Sequence, residues 1–452
     1  MAVDPTATAL PTWSVLPFAG LLGAIAVLPL IHRTAHWWEE NRNKFMVSAA
    51  CGLVALGVIT MFGGASAAAG AAKHAAMEFV PFMVLLFSLY AISGGILISG
   101  DIPATPRSNT LILAIGAVLA NVLGTTGASM LLIRPLLRAN RRRARRAHVV
   151  VFFIFTVSNC GGLLLPIGDP PLFLGYLRGI PFTWTLGLLP EWLIVNVSLL
   201  ALFLVIDTRL SRRPGAMDAP EGSALAEEPP AAPGGAPIRV RGMLNVAWLA
   251  GVVLSAALLV PGARIEAVGF TVPEFMREGV MLACAGLSLW LTPWSLRREN
   301  RFAFTPILEV AALFSGLFVA MQPALEILAV RGADLGVQTP AQFFWATGLL
   351  SSFLDNAPTY LVFADVAATI TPEGAEGAIR YGSQAIDAAL LTAVSCGAVF
   401  MGAVTYIGNG PNLMVAAIAR EDGVPMPSFF GYMLWSGVLL LPLFAVVTWV
   451  IF

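Results

Sequence analysis

Apolar stretches long enough to cross a bilayer recur along the whole chain. The hydrocarbon core of a bilayer is about 30 Å thick, which a helix of roughly 20 residues spans. The chain contains twelve apolar segments that approach or exceed this length: 13–31, 45–63, 79–99, 109–137, 149–177, 183–206, 243–261, 279–296, 305–330, 342–369, 386–419 and 428–452. The pattern predicts an all-α polytopic membrane protein.

The composition agrees with this interpretation and excludes other classes of protein. Of the 452 residues, 58% are hydrophobic and 12% are charged, whereas a soluble domain has about 25% charged residues. Lys plus Arg and Asp plus Glu each number 26, so the chain lacks the basic surplus of a nucleic-acid-binding protein. The sequence contains no catalytic constellation or cofactor motif. We therefore expect no enzyme, no bound cofactor and no nucleic-acid partner.

Two of the twelve segments carry polar or turn-forming residues at their centres. Segment 109–137 contains Gly-Thr-Thr-Gly at 124–127, and segment 342–369 contains Ser-Phe-Leu-Asp-Asn-Ala-Pro at 352–358. If both are re-entrant hairpins, most Lys and Arg residues fall on one side of the membrane, as the positive-inside rule requires. The arginine-rich loop that ends at His148 then mainly sets the topology, with His148 solvated. The prediction is ten transmembrane helices plus two re-entrant hairpins, with both termini outside.

A short sequence recurs in the two halves of the chain. Residues 167–174 read Ile-Gly-Asp-Pro-Pro-Leu-Phe-Leu, and residues 407–414 read Ile-Gly-Asn-Gly-Pro-Asn-Leu-Met. Both lie in a long apolar segment after a hairpin, and the two halves begin with spans of opposite direction. This predicts two inverted-topology repeats, the usual architecture of secondary transporters. The predicted division is N-terminal scaffold spans at 1–78, repeat 1 at 79–206 (hairpin 109–138, broken helix 149–177), a flexible cytoplasmic linker at 207–242, linking spans at 243–304, and repeat 2 at 305–452 (hairpin 342–369, broken helix 386–419).

Polar residues cluster where these four interrupted segments break. Pro170 and Pro171 remove backbone donors and break the first helix, and Gly408, Gly410 and Pro411 break the second. Freed backbone groups near mid-bilayer bind ions or substrates in transporters. We predict that tips and breaks converge on one ion- and substrate-binding cavity, formed by Asn121, Thr125, Thr126, Ser129, Ser158, Asn159, Gly168, Asp169, Ser352, Asp355, Asn356, Thr359, Thr405, Gly408, Asn409 and Asn412.

Two acids in this set, Asp169 and Asp355, define the predicted chemistry. A carboxylate at membrane depth is a candidate functional group by default, and no Lys or Arg lies near either acid in the sequence. An oxygen-rich site without a base suits Na⁺ or H⁺. We therefore predict that Na⁺ binds at this site and that Asp355 and Asp169 carry protons. The alternative for both acids is a capping role at a helix start.

Three motifs resemble the ion transporter superfamily, which holds sodium:proton antiporters of the NhaD type, arsenite carriers and citrate or dicarboxylate carriers. They are Gly-Gly-Leu-Leu-Leu-Pro-Ile-Gly-Asp-Pro-Pro at 161–171, Leu-Asp-Asn-Ala-Pro at 354–358 and Ile-Gly-Asn-Gly-Pro-Asn at 407–412. The resemblance implies a homodimer in which a mobile transport domain moves against a scaffold. Dicarboxylate carriers of this kind have Ser-Asn-Thr at both tips, whereas an acid at the second tip is nearer the cation antiporters.

The sequence therefore predicts a secondary active transporter of the bacterial plasma membrane, namely a sodium:proton antiporter that works by alternating access. The alternative is a cation-coupled carrier of citrate or of another carboxylate or oxyanion. The expected partners are inorganic cations, membrane lipid and a second copy of the chain. A small carboxylate joins them under the alternative.

Overall fold

α-Helices form most of the chain in the computed structural model, which describes residues 10–29, 31–213, 237–262, 264–265, 270–300, 302–331 and 336–452. The helices of these residues are α1 (Leu16–Val27), α2 (His32–Glu39), α3 (Asn41–Ser93), α4 (Pro106–Ala139), α5 (Ala147–Thr156), α6 (Pro170–Leu177), α7 (Leu189–Ser211), α8 (Leu244–Leu258), α9 (Met276–Leu291), α10 (Trp294–Glu299), α11 (Thr305–Ala320), α12 (Gln322–Arg331), α13 (Pro340–Phe353), α14 (Asn356–Ile370), α15 (Ala388–Met401), α16 (Gly410–Glu421) and α17 (Phe429–Ile451).

Several of these helices are suited to a lipid bilayer. Within the described ranges, five helical segments are long and apolar enough to cross a membrane: Asn41–Ser93, Pro106–Ala139, Trp184–Ser211, Thr305–Ile327 and Phe429–Ile451. Shorter apolar helices lie at Thr12–Ile25, Ala147–Leu163, Leu244–Leu258 and Ala388–Val404. The chain is therefore a multi-pass membrane protein. The total of ten spans and the inverted repeat stay predictions.

Three small antiparallel ribbons depart from the all-α expectation. They pair β1 (Leu97–Ser99) with β2 (Arg239–Arg241), β3 (Arg264–Ile265) with β4 (Phe270–Thr271), and β5 (Ile379–Tyr381) with β6 (Gln384–Ile386). Each ribbon pairs backbone groups in the connections between helices, where no helical partner exists. Within the predicted linker 207–242, α7 continues to Ser211 and β2 forms near the end, while residues 214–236 lie outside the described residues.

The 53 residues of α3 fold back on themselves at Gly64, whose backbone angles (φ 80°, ψ 173°) are not helical. Lys44 in the first arm forms an ion pair with Glu309 at 2.5 Å. In the second arm the Tyr90 hydroxyl donates to the Ala303 carbonyl at 2.7 Å. Lys44 and Tyr90 would lie about 70 Å apart in a straight helix, yet both meet the start of α11. The two arms are therefore antiparallel.

The second arm of α3 begins earlier than the predicted span 79–99. It is helical directly after the kink and ends at Ser93. Residues 65–72 read Ala-Ser-Ala-Ala-Ala-Gly-Ala-Ala, and Ala has the highest helix propensity. The stretch between the predicted spans 45–63 and 79–99 is therefore helical. Phe82 of this arm stacks on Phe314 of α11, with ring centroids 5.2 Å apart. The two arms of α3 and α11 form one packed unit.

Helix α4 is a hairpin whose tip is Gly124 (φ 73°, ψ 156°). The side chains of Asn109 and Asn140 exchange two hydrogen bonds of 2.9 and 2.8 Å. These residues would lie about 46 Å apart in a straight helix, so the arms 106–123 and 125–139 run back along each other. The predicted segment 109–137 thus turns where its Gly-Thr-Thr-Gly sequence begins.

We expect Gly124→Ala to destabilise the protein by about 1–3 kcal/mol, the cost of holding a residue with a side chain in a region of backbone angles that only glycine adopts readily. Space is not the cause, because the nearest atom to the added methyl group would be the Ile167 carbonyl oxygen at 3.4 Å. Thermal melting of the purified protein in detergent measures the effect. Gly57→Ala is the matched control, since no atom lies within 4 Å of its added methyl group. Equal melting temperatures for the two variants would contradict this reasoning.

Helices α13 and α14 form a second hairpin, joined at Leu354 and Asp355. The rings of Phe343 and Phe363, one in each helix, lie 6.3 Å apart. The helices contain 14 and 15 residues, so each is about 21–23 Å long. That length is too short to cross a bilayer core of about 30 Å.

Two further helices are interrupted. The first break separates α5, which ends at Thr156, from α6, which begins at Pro170, and the second separates α15, ending at Met401, from α16, beginning at Gly410. Each break contains a short 3₁₀ turn before an extended residue that starts the next helix. The prolines of each second segment occupy its first turn, where a missing N–H costs no hydrogen bond.

A buried polar network closes the base of the α4 hairpin. Asp207 of α7 accepts hydrogen bonds from Arg143 at 2.5 Å and Asn109 at 3.1 Å, and it pairs with His148 at 2.9 Å. Arg143 is 2% exposed and His148 is 3% exposed. The prediction of a solvated His148 is therefore wrong. Asp207, which lies 59 residues later in the chain, contacts His148 in the interior. A contact between residues so far apart cannot be recognised from the neighbouring sequence.

Candidate functional site

Asp169 is a buried acid at the end of the first helix break. Its backbone is extended (φ −142°, ψ 143°) and starts α6, as expected for a residue that precedes proline. Asn409 has the same conformation (φ −153°, ψ 140°) at the start of α16. The Asp169 side chain is only 1% exposed. The two breaks therefore present corresponding side chains, one acid and one amide, at equivalent positions.

Three donors from three other elements converge on the Asp169 carboxylate. The Thr125 hydroxyl, at the tip of the α4 hairpin, donates to Oδ1 at 2.9 Å. Asn356, at the tip of the second hairpin, donates from Nδ2 to Oδ2 at 2.5 Å. Asn409 of the second break donates to Oδ1 at 3.2 Å. Both tips and both breaks thus meet at one carboxylate.

Asparagines join the two breaks behind this carboxylate. Asn159 donates to the Asn412 side-chain oxygen at 2.7 Å, and Asn409 donates to Asn159 Oδ1 at 3.2 Å. Asn409 also donates to the Ser158 carbonyl at 3.2 Å. Asn412 in turn donates to the carbonyl of Thr405 at 3.0 Å. The breaks are held together by side-chain amides, which orient their partners without adding charge.

Glycine permits close backbone contact in each break. A methyl group on Gly408 would lie 2.7 Å from the Gly402 carbonyl oxygen. A methyl group on Gly168 would collide with the Gly162 carbonyl oxygen in the same way. The Gly168 carbonyl also accepts a hydrogen bond from the Thr125 amide at 2.8 Å. Only residues without a side chain allow these turns to close around the site.

The other predicted residues of the first half fasten the α4 hairpin to the first break. Asn121 accepts a hydrogen bond from the Leu164 amide at 2.7 Å. The hydroxyls of Ser129 and Ser158 lie 2.8 Å apart. Thr126 is half-buried next to Thr125, and no hydrogen bond connects it to Asp169 within the described part of the chain.

In the second half, hydroxyl groups stabilise the turn of the second break. Ser352 donates to the Met401 carbonyl at 3.1 Å, and Thr405 donates to the Ser352 carbonyl. Thr405 also accepts from the Gly408 amide at 3.1 Å. Thr359 donates to the carbonyl of Asp355 at 3.0 Å, so its hydroxyl is used within its own helix.

Asp355 caps α14, and Asn356 is the tip residue that contacts Asp169. The Asp355 carboxylate accepts a hydrogen bond from the Ala357 amide at 3.1 Å. Successive residues of a helix point about 100° apart, so a shift of one position decides which side chain faces the carboxylate. The capping role, one of the two alternatives for this acid, is the contact that the structure provides.

We expect Asp355→Asn to retain transport and to melt within a few degrees of the wild type, because Asn caps a helix start about as well as Asp does. Asp355→Ala, which removes the cap, should lower stability by about 1 kcal/mol. Flux and thermal melting of the two variants measure these effects. Loss of transport in Asp355→Asn with unchanged melting would instead identify Asp355 as an ion carrier.

The electrostatics of the site distinguish it from an ordinary buried acid. Among the described residues the hydrogen-bond partners of Asp169 are a hydroxyl and two amides, with no Lys or Arg. The Asn356 side-chain oxygen is also buried and lacks a hydrogen-bond partner among these residues. A buried charge without a counter-charge costs several kcal/mol. A proton or a cation on Asp169 would remove that cost.

A second group of charged residues, two of them buried acids, lies outside the residues predicted from the sequence. Arg178, directly after α6, donates to Glu78 of α3 and lies 3.5 Å from Asp365 of α14. Both acids lie within apolar helices, the same signal that identified Asp169. One guanidinium thus ties the broken helix and the second hairpin to α3.

Comparisons with known proteins agree with a transport role. A family model described as "Putative citrate transport" matches residues 7–452, almost the whole chain. Two relatives, from Mycobacterium bovis and Mycobacterium tuberculosis, are each named an uncharacterized transporter. Each is 27% identical over 340 residues, which cover 71% of this chain and 71% of the relative. The resemblance to citrate-transporter-like membrane proteins is confirmed.

Proposed function

The chain belongs to this citrate-transport family, and we propose that it is a secondary active transporter that binds H⁺ and Na⁺ in turn at Asp169. The observation that carries the proposal is the buried Asp169 carboxylate, which is held by Thr125, Asn356 and Asn409 without a basic residue among its described partners. Net exchange of the two ions across the membrane is sodium:proton antiport.

The ligand chemistry supports a site that either ion occupies alone. Hard cations such as Na⁺ bind carboxylate, amide and hydroxyl oxygens. Asp169, the unpartnered Asn356 oxygen and the Thr125 hydroxyl supply one of each kind. A proton on Asp169 neutralises the same charge, so arrival of Na⁺ displaces it. Binding of one ion at the expense of the other couples their movements in opposite directions.

The interrupted elements support alternating access. We infer that the two hairpins are re-entrant, because non-helical backbone at membrane depth must be buried in protein or line a polar cavity. The breaks at Gly168 and Gly408 are built alike, which supports an arrangement of inverted-topology repeats. In this proposal the hairpins and breaks move as a unit against the α3 and α11 scaffold. The proposal includes a homodimer in the bacterial plasma membrane.

A second candidate is a cation-coupled carrier of citrate or another carboxylate, and the family match favours it. Asp169 would then bind the coupling cation, and the hydroxyls and amides around it would receive the anion. The two candidates share the cation site and differ in whether a carboxylate crosses the membrane with it.

Flux measurements separate the two candidates. Everted membrane vesicles are loaded with a pH-sensitive dye, and Na⁺, Li⁺ or K⁺ is added. Antiport gives a dye response to Na⁺ or Li⁺ that is absent from vesicles without the protein. Uptake of labelled citrate into proteoliposomes along a Na⁺ or H⁺ gradient, without the dye response, establishes the carrier. Failure of both measurements with correctly folded protein would refute cation coupling.

A further inference from the structure

A cavity of about 140 Å³ opens at the arginine-rich end of α4, the side that the positive-inside rule assigns to the cytoplasm. Its walls come from four elements: the second arm of α4, β1, the end of α10 and the end of α16. None of the residues that hold Asp169 lines it. The cavity is therefore separate from the site around Asp169.

Three guanidinium groups line this cavity. Arg134, Arg138 and Arg141 follow one another at spacings of four and three, which places them on one side of the helix and its end. Arg134 donates to the Asn300 carbonyl at 3.1 Å, and Arg138 donates to the Ile98 carbonyl at 2.6 Å. Both acceptors are backbone carbonyl oxygens, which fix the orientation of the two side chains.

Each of the two acids in the cavity wall forms an ion pair with an arginine that does not line the cavity. Glu299 pairs with Arg241 at 2.7 Å, and Asp422 pairs with Arg146 at 3.5 Å. The pKa of Arg146 lies below its ordinary value, mainly because the side chain is buried. The negative charge of Asp422 raises this pKa, and the positive charge of Arg141 lowers it. Like charges therefore crowd this end of the hairpin.

Of the three arginines, Arg141 has the most N–H groups left to bind a ligand. It is half-buried against the cavity, and no hydrogen bond or ion pair joins its side chain to another described residue. A guanidinium carries five N–H donors in a planar fork. That fork matches the oxygens of a carboxylate or phosphate group, to which it binds with two parallel hydrogen bonds.

We propose that this cavity is a binding site for a small multivalent oxyanion, of the carboxylate or phosphate class, held by Arg134, Arg138 and Arg141. The volume is about ten times the 10–15 Å³ that one water molecule requires, which is enough for an anion with several charged groups. The anion would bridge the α4 hairpin to α16 and to the loop after α10. The site does not depend on ion coupling at Asp169, so each proposal can fail alone.

Binding to purified, full-length protein tests the site. Citrate and inorganic phosphate are titrated by calorimetry into protein in nanodiscs of neutral phosphatidylcholine, and thermal melting is recorded in parallel. The expected result is binding to the wild type and a raised melting temperature at saturation. The Arg138→Gln/Arg141→Gln double variant should bind about tenfold more weakly or worse, since it loses two charged donors to the anion.

Two further variants serve as controls for misfolding and for non-specific effects of charge. Arg141→Gln alone gives up no side-chain hydrogen bond or ion pair seen within the described chain, so its fold should be unchanged while its affinity falls. Arg145→Gln removes an exposed charge from the same loop outside the cavity and should bind as the wild type does. Equal affinity in the wild type and the Arg141→Gln and double variants would overturn the proposal.

A second lipid composition distinguishes a soluble anion from a lipid headgroup as the ligand. Nanodiscs that contain phosphatidylglycerol present the same phosphate chemistry as a lipid headgroup. If soluble anions fail to bind but phosphatidylglycerol stabilises the wild type more than the double variant, the oxyanion site is upheld with a lipid as its ligand. If neither soluble anions nor phosphatidylglycerol distinguish these proteins, the cavity is not an oxyanion site.

Discussion

Replacing Asp169 with Asn is expected to abolish cation-coupled transport and to leave the protein folded. Thr125 and Asn409 can still donate to the remaining side-chain oxygen. The Asn356 amide can rotate so that its unpartnered oxygen accepts from the new NH₂ group. Shape and hydrogen bonds are retained, but the group can neither carry H⁺ nor neutralise a cation. The melting temperature should be unchanged or higher, because an uncompensated buried charge is removed.

The measurement is the Na⁺-driven dye response in everted vesicles, which should fall to the level of vesicles without the protein. Asp387→Asn is the matched control. Asp387 caps α15 by accepting from the Ala389 amide at 2.9 Å, and Asn supports the same cap. Its flux should equal that of the wild type. Wild-type flux in Asp169→Asn would show that the ion is carried elsewhere, and the proposed function would lose its central residue.

Local rules of backbone chemistry made much of this site predictable. Pro170 and Pro171 cannot continue a helix from the preceding segment, and the break lies directly before them. Pro411 acts in the same way in the second half, where the break lies directly before α16. An acid among apolar residues is costly enough to indicate function, and Asp169 occupies the position where all four interrupted elements meet.

Features that depend on tertiary contacts could not be predicted in this way. The choice between Asp355 and Asn356 at the second tip depends on the rotation of α14, which packing sets. His148 is buried because Asp207 approaches it from a different helix. The antiparallel arms of α3 depend on a single kink at Gly64 within a segment whose alanines favour a continuous helix. In each case the structure depends on a contact with a residue distant in sequence, or the only sequence signal is a single residue.

The second prediction with a large effect is that Gly408→Ala severely impairs both stability and transport. The new methyl group would lie 2.7 Å from the Gly402 carbonyl oxygen, 2.8 Å from that of Ser351 and 3.0 Å from that of Ser352. All three are backbone atoms, so the strain is relieved only if the turn itself moves, at a cost of about 1–3 kcal/mol or more. Asn409, the next residue, would move with it and lose its 3.2 Å contact with Asp169.

Gly410→Ala provides the matched control two residues away. No atom lies within 4 Å of its added methyl group, and Gly410 begins α16, where Ala favours the helix by up to about 1 kcal/mol. Thermal melting and Na⁺-driven proton flux should therefore be normal in Gly410→Ala and reduced together in Gly408→Ala. If Gly408→Ala melts and transports like Gly410→Ala, close backbone packing in the second break does not position Asn409. The ion site would then have to be held by the two hairpin tips alone.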